Sequence, residues 1–134
     1  MNDLDRVGDA AIGFVSPSEM RPTEQIRPGR VREVIAMIVA RQAWTQPIRL
    51  ERTTLAILDG HHRHAASIQL GLLRVPVQIL DYEAVELASW RADVFPTRGD
   101  VLRRALDGNL YPPKTTRHNF RRDAPILVRL DMLM

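Results

Sequence analysis

Two short segments hold all four histidines and the single lysine of the chain, and both read as places to grip an anion. The first is Leu58-Asp59-Gly60-His61-His62-Arg63-His64, where an apolar run gives way to a helical pattern. A glycine at such a junction permits a sharp turn and close backbone approach by a ligand. The helix that follows begins with free N–H groups and a partial positive charge, which together suit phosphate or carboxylate. Arg63 adds a fork of donors matched to phosphate oxygens. Asp59, at the carboxyl end of a strand, could hold Mg²⁺ or accept a hydrogen bond; it reads equally as a plain helix cap. Basic residues in a first helical turn oppose the helix dipole, so the run as a unit asks for a compensating anion. A transition-metal site finds little support, because the chain has no cysteine and no His-Glu-x-x-His spacing.

The second segment is Pro112-Pro113-Lys114-Thr115-Thr116-Arg117-His118. Two prolines stiffen the entry; an ammonium, a guanidinium, an imidazole and two hydroxyls follow, donors of several geometries for one phosphate group. Of the 19 basic residues only Lys114 is a lysine. A lone lysine in so arginine-rich a chain points to a need for a compact ammonium, since the two side chains differ in geometry and hydration. Glu24 is a third candidate. It lies in Arg21-Pro22-Thr23-Glu24-Gln25-Ile26-Arg27-Pro28, off any helical face. A carboxylate beside a substrate hydroxyl could act as general base, although a loop glutamate taken alone is ordinary surface. Neither GxxxxGK[ST] nor GxGxxG occurs, so a nucleotide would be held by other means than a P-loop or Rossmann turn.

These groups must be positioned by a domain of modest size. At 134 residues the chain is one domain's worth, and its 45% hydrophobic and 26% charged content is ordinary for a globular protein. The absence of cysteine removes disulfides, zinc–thiolate sites and thiol catalysis together. No apolar run approaches the roughly 20 residues of a membrane span, and the acidic first ten residues do not resemble a leader, so the cytoplasm is expected. Net charge is +3, with 10 basic against 11 acidic residues over 1–90 and nine against five over 91–134. The basic tail suits a phosphorylated small molecule better than DNA, because the excess is small and only seven aromatics are available for stacking.

The pattern along the chain predicts a flexible stretch over 1–11 and one domain over 12–134. Short strands are expected at Gly13–Val15 and Ile48–Leu50, and a buried strand at Thr54–Leu58. Val75–Leu80 should form a further strand. Helices are expected from Gly29 to Arg41 and from His61 to Leu70, the latter packing through Ala65, Ile68 and Leu72. Thr97 should cap a third helix reaching Leu106, with Gly108 after it. Glu83–Trp90 leans to strand, Tyr111–His118 to loop, and Ile126–Leu130 to a last strand. The sum is an α/β or α+β fold, a small mixed sheet with flanking helices.

Arg21-Pro22-Thr23-Glu24, Asp59-Gly60-His61-His62-Arg63 and Pro112-Pro113-Lys114-Thr115-Thr116-Arg117-His118, taken together, resemble the ParB/sulfiredoxin superfamily and, within it, the free L-serine kinase branch. The resemblance covers roughly residues 12–130. It implies transfer of a phosphoryl group from ADP or ATP to the hydroxyl of free L-serine or a similar hydroxy amino acid, with Mg²⁺ as counter-ion. By the same resemblance Glu24 and Asp59 are catalytic, and Asp59 is the metal ligand. Gly60, His61, His62, Arg63, Lys114, Thr115 and Thr116 would surround the nucleotide phosphates, and Trp90, Arg117 and His118 the amino-acid substrate. One departure is visible: only about thirty residues separate Tyr82 from Pro112, where longer members of the branch carry an extra stretch that helps close the site. The competing expectation is a nucleotide-binding, ParB-like regulator of DNA, but no helix-turn-helix pattern is present. Sulfiredoxin-like repair chemistry lacks its cysteine. An exposed sheet edge could pair two copies of the chain.

Overall fold

The computed structural model describes residues 5–7, 10–120 and 125–134. Nine strands and three α-helices of nine to fourteen residues lie along them. The strands are β1 (Asp5–Val7), β2 (Ala10–Val15), β3 (Ala43–Trp44), β4 (Ile48–Glu51), β5 (Ile57–Asp59), β6 (Val75–Leu80), β7 (Glu86–Ser89), β8 (Thr116–Asn119) and β9 (Val128–Arg129). The helices are α1 (Pro28–Arg41), α2 (His61–Gln69) and α3 (Arg98–Asp107). Five strands form one sheet in the order β1-β2-β6-β4-β5, and two small ribbons, β3-β9 and β7-β8, stand apart from it. Within the sheet only β4 and β6 run parallel, so it is mixed, as the sequence predicts.

The apolar pattern explains the layering. Val31, Val34 and Ile38 line the inner face of α1, and they pack with Ile48, Leu50, Ile57, Val75 and Val77 into the larger core. Leu58, Tyr82, Val85, Val101 and Tyr111 make a second, smaller core. Adjacent residues of a strand face opposite sides, so Ile57 enters the first core and Leu58 the second. Asp59 therefore emerges where the strand leaves both cores. Pro76 is tolerated inside β6 because pairing with β4 begins only at Val77. Thr97 caps α3 by accepting from the Asp100 N–H at 3.1 Å, and Gly108 closes it in the left-handed conformation at φ 76°.

Several expectations are corrected. The buried strand begins at Ile57, not Thr54. The Glu51 carboxylate instead collects the N–H groups of Thr53 and Thr54 at 2.9 and 2.8 Å and both hydroxyls, folding Arg52–Thr54 into a turn. Of the packing side expected for α2, Leu72 is buried and Ala65 packs against the core, but Ile68 is exposed; His64, Ala66 and Ser67 are buried instead, the His64 ring donating to the Pro17 carbonyl at 2.8 Å. The end of the segment read as loop is β8, paired with β7 from Ser89↔Thr116 to Glu86↔Asn119. Of Ile126–Leu130 only Val128 and Arg129 are strand, and Leu130–Leu133 is a 3-10 turn whose Leu133 is buried. In the stretch expected to be flexible, Asp5–Val7 pairs with Ala10–Ile12; residues 1–4 and 8–9 lie outside the described residues. Among the described residues no helix is long and apolar enough to cross a membrane.

Candidate active site

The site is assembled by fixing one loop between two cores. Arg21 N–H donates to the Leu55 carbonyl at 3.0 Å and the Ile57 N–H donates back to Arg21 at 2.9 Å. Two and four residues later, Tyr111 N–H donates to the Thr23 carbonyl and Gln25 N–H donates to the Tyr111 carbonyl, at 2.9 and 2.8 Å. Glu24 thus lies on a backbone stitched at both ends, not on a free loop. Thr23, which the sequence did not single out, is fully buried there.

His61 completes the anchoring. Its Nε2 accepts the N–H groups of Thr23 and Glu24 at 3.0 and 3.2 Å, which requires a neutral ring with its proton on Nδ1. Burial, reinforced by the nearby His64, His62 and His118, pushes its pKa down to about 3. His62 acts in the same sense one turn outward, its Nε2 accepting the Arg27 N–H at 3.0 Å. Burial and the charges of Arg30 and Arg27 lower its pKa. His118 meets the Tyr82 hydroxyl at 2.7 Å, and burial brings its pKa down to about 4. Every Nε2 in the chain is therefore committed to protein, and among the described residues no cluster of three or more His, Cys, Asp or Glu side chains could hold a metal.

The turn at Asp59-Gly60 has the geometry its glycine allows. Gly60 is the N-cap of α2 at φ 106°, and no side chain caps the helix, so Asp59 is not the cap. A Cβ on Gly60 would be strained at this φ and would press on Ile48 Cγ1 at 3.2 Å and the Arg63 guanidinium at 3.3 Å. Arg63 does not point its fork at open space: it donates to the Gln46 and Pro47 carbonyls at 2.9 and 2.7 Å and to Asp59 Oδ2 at 3.1 Å. It lines a different cavity of about 330 Å³, shared with Arg30, Arg41 and Trp44. The Asp59 side chain keeps about half its surface free, 46% exposed.

Strand β8 forms the facing wall. Thr115 is buried, its hydroxyl donating to the Pro112 carbonyl at 2.7 Å and its carbonyl accepting the Trp90 N–H at 3.0 Å. It rivets the ribbon rather than facing the cleft. Thr116 crosses to Glu24: its N–H donates to Oε1 at 2.6 Å and its hydroxyl donates to the same oxygen. Lys114, turning the chain at φ 52°, places Nζ 5.9 Å from the Trp90 ring centre, and the Arg117 guanidinium lies 5.1 Å from it. A cleft of about 500 Å³ is lined by Leu58, Asp59, Trp90 and residues 116–120. Asp59 at the start of the turn and the strand at 116–118 thus meet across one cavity, with Glu24 tied in through Thr116. Sequence reading missed Tyr82 and Phe120 here. Phe120 lies under the Arg49 guanidinium at 4.1 Å and Tyr82 orients His118, contacts that only the fold creates.

The neutral histidines give a testable pH dependence. The unfolded chain binds protons near pH 6.5 that the folded His61 and His118 refuse until about 3 and 4, so stability is full above 6.5 and lost as pH falls through that window. Each group contributes a slope of about 1.4 kcal/mol per pH unit. Urea unfolding midpoints should fall steadily from pH 7 to pH 4.5; a flat midpoint contradicts the neutral, protein-committed rings.

No family model matches the chain. It is 35% identical over 104 residues to a ParB-like protein of Sulfolobus acidocaldarius, covering 72% of this chain and 52% of that one. It is 33% identical over 83 residues to an ATP-dependent L-serine kinase of Staphylothermus marinus, covering 58% of this chain and 33% of that one. The match therefore spans about half the length of the first relative and about a third of the second. Among solved structures, a mutant free serine kinase in complex with ADP superposes with a TM-score of 0.85 at 18% identity, over 98% of this chain and 97% of that one.

Proposed function

We propose that this chain, a member of the ParB/sulfiredoxin-like serine kinase branch, transfers a phosphoryl group from ATP or ADP to the hydroxyl of free L-serine or a close hydroxy amino acid. The observation that carries the proposal is that Asp59 and Thr116–His118 line one cleft, with Glu24 bonded to Thr116 at 2.6 Å, so that three distant parts of the chain meet there. Residues 12–134 act as a single catalytic domain. Phosphoryl transfer asks little covalent chemistry of a protein and much positioning and charge neutralisation, which this cleft offers.

Glu24 takes the proton of the serine hydroxyl as its oxygen bonds to the terminal phosphorus. The bond from that phosphorus to the bridging oxygen breaks, and the shortened nucleotide leaves with the electron pair. The uncapped first turn of α2 beyond Gly60 binds phosphate oxygens through its N–H groups. Lys114 and Arg117, beside Trp90 at the cleft mouth, supply mobile positive charge to the phosphates and to the substrate carboxylate. Trp90, 59% exposed, offers an apolar wall to the amino acid. His61, His62, Arg63, Thr115 and His118 hold this geometry together rather than touching phosphate.

Mg²⁺ fits a site of this kind, since it is commonly held by one or two carboxylates and completed by phosphates and water. Asp59, with its half-free carboxylate, is the residue that would hold it. When bound, the ion would neutralise charge developing on the phosphate oxygens. Incubation of the chain with ATP or ADP, Mg²⁺ and L-serine should yield O-phosphoserine by mass spectrometry, with L-threonine and L-homoserine as parallel substrates. No product from any hydroxy amino acid, together with salt-sensitive DNA binding, would replace this reading with a regulatory one.

A further inference from the structure

Thr116 falls in the segment whose donors suit phosphate, yet both of its donors are turned elsewhere. Its N–H reaches Glu24 Oε1 at 2.6 Å, and its hydroxyl donates to the same atom. Thr116 is buried, 9% exposed, on a strand fixed to β7 by four register pairs, so the two donors approach from a rigid direction. The Glu24 main chain is fixed independently, by His61 at 3.2 Å and by the bonds of its neighbours to Tyr111. A glutamate has three side-chain torsions and considerable rotamer freedom to lose. Here backbone and one carboxylate oxygen are both held, while among the described residues Oε2 has no protein donor.

We infer that Thr116 is a positioning residue that divides the Glu24 carboxylate into a held oxygen, Oε1, and a working oxygen, Oε2, which receives the substrate proton. The inference rests on the kinase reading for the identity of that proton, but not for the Glu24–Thr116 linkage itself. Holding a base in place matters because general-base transfer needs heavy atoms at hydrogen-bond distance, and misplacement by about 1 Å can cost roughly 10²-fold. Were Thr116 a phosphate ligand instead, its hydroxyl would act on nucleotide affinity.

Thr116→Val removes the hydroxyl while keeping the N–H and the branched shape suited to a strand. It should lower kcat about 10- to 100-fold with the nucleotide Kd, by calorimetry, changed less than twofold, and Thr116→Ser should recover most of kcat. A second arm needs no activity. Glu24→Ala and Thr116→Val should each lower Tm by a few degrees, and the double variant should fall no further than Glu24→Ala alone, because that change already removes the hydroxyl bond that Thr116→Val deletes. Additive Tm losses, or a nucleotide Kd weakened tenfold with kcat intact, would overturn the inference. Non-additive Tm losses in a chain that makes no phosphoserine would sustain the linkage and remove the kinase reading instead.

Discussion

On the proposed kinase reading, Glu24→Gln should remove nearly all phosphoserine formation, about 10²- to 10⁴-fold, while nucleotide affinity stays within a factor of two. The substitution keeps size, shape and an oxygen able to accept from Thr116, so the stitched loop from Arg21 to Gln25 is retained. What it loses is the lone pair that takes the hydroxyl proton. Steady-state kinetics with saturating nucleotide and L-serine, alongside calorimetric nucleotide titration, separate the two effects. Loss of nucleotide binding with the same fall in kcat would place Glu24 in binding and not in proton transfer.

Asp59→Asn has the second largest effect, a fall of about 10²-fold or more, of the size seen when one electrostatic partner of a transition state is deleted. Asparagine still offers an oxygen to Arg63, and the Asp59–Arg63 pair is half exposed at 46% on the Asp59 side. The change should therefore cost stability little, under about 1 kcal/mol. The expected signature is a raised Mg²⁺ requirement: the concentration for half-maximal rate climbs as kcat falls. An Asp59→Asn enzyme with wild-type rate and Mg²⁺ dependence removes Asp59 from the metal site.

Much of the frame is legible in the residues because it is local. The 3.6-residue spacing of Val31, Val34 and Ile38 marks α1, Thr97 and Gly108 bracket α3, and the apolar run at Val75–Leu80 is the central strand β6. Errors arise where side chains compete with the backbone pattern. Apolar Thr54–Leu58 reads as strand, but the Glu51 carboxylate captures four donors from Thr53 and Thr54 and holds the first part in a turn. Tyr111–His118 reads as loop because its partner strand β7 is a weak pattern of its own. In the site, composition reveals where donors are gathered but not what they face. Arg63, His61 and Thr115 carry the right groups for phosphate, and the fold commits the first two to carbonyls or N–H groups 16 to 38 residues away and the third to the Pro112 carbonyl of its own turn. The pairing of Glu24 with Thr116, 92 residues apart, has no local signature at all.

The division of labour follows from that. Neutral, half-buried His61 and His118 brace the walls, and the exposed cations Lys114 and Arg117 sit beside Trp90. A cleft with a rigid base and mobile charge can hold its reacting groups still while admitting a polyphosphate.

A crystal structure of the chain soaked with ADP and L-serine tests the convergence itself. The account predicts the polyphosphate between the Asp59–His61 turn and Thr116–His118, with the amino-acid hydroxyl about 3 Å from Glu24 Oε2. A nucleotide seated instead in the cavity beside Arg30, Arg41 and Trp44, or a hydroxyl out of reach of Glu24, would contradict it.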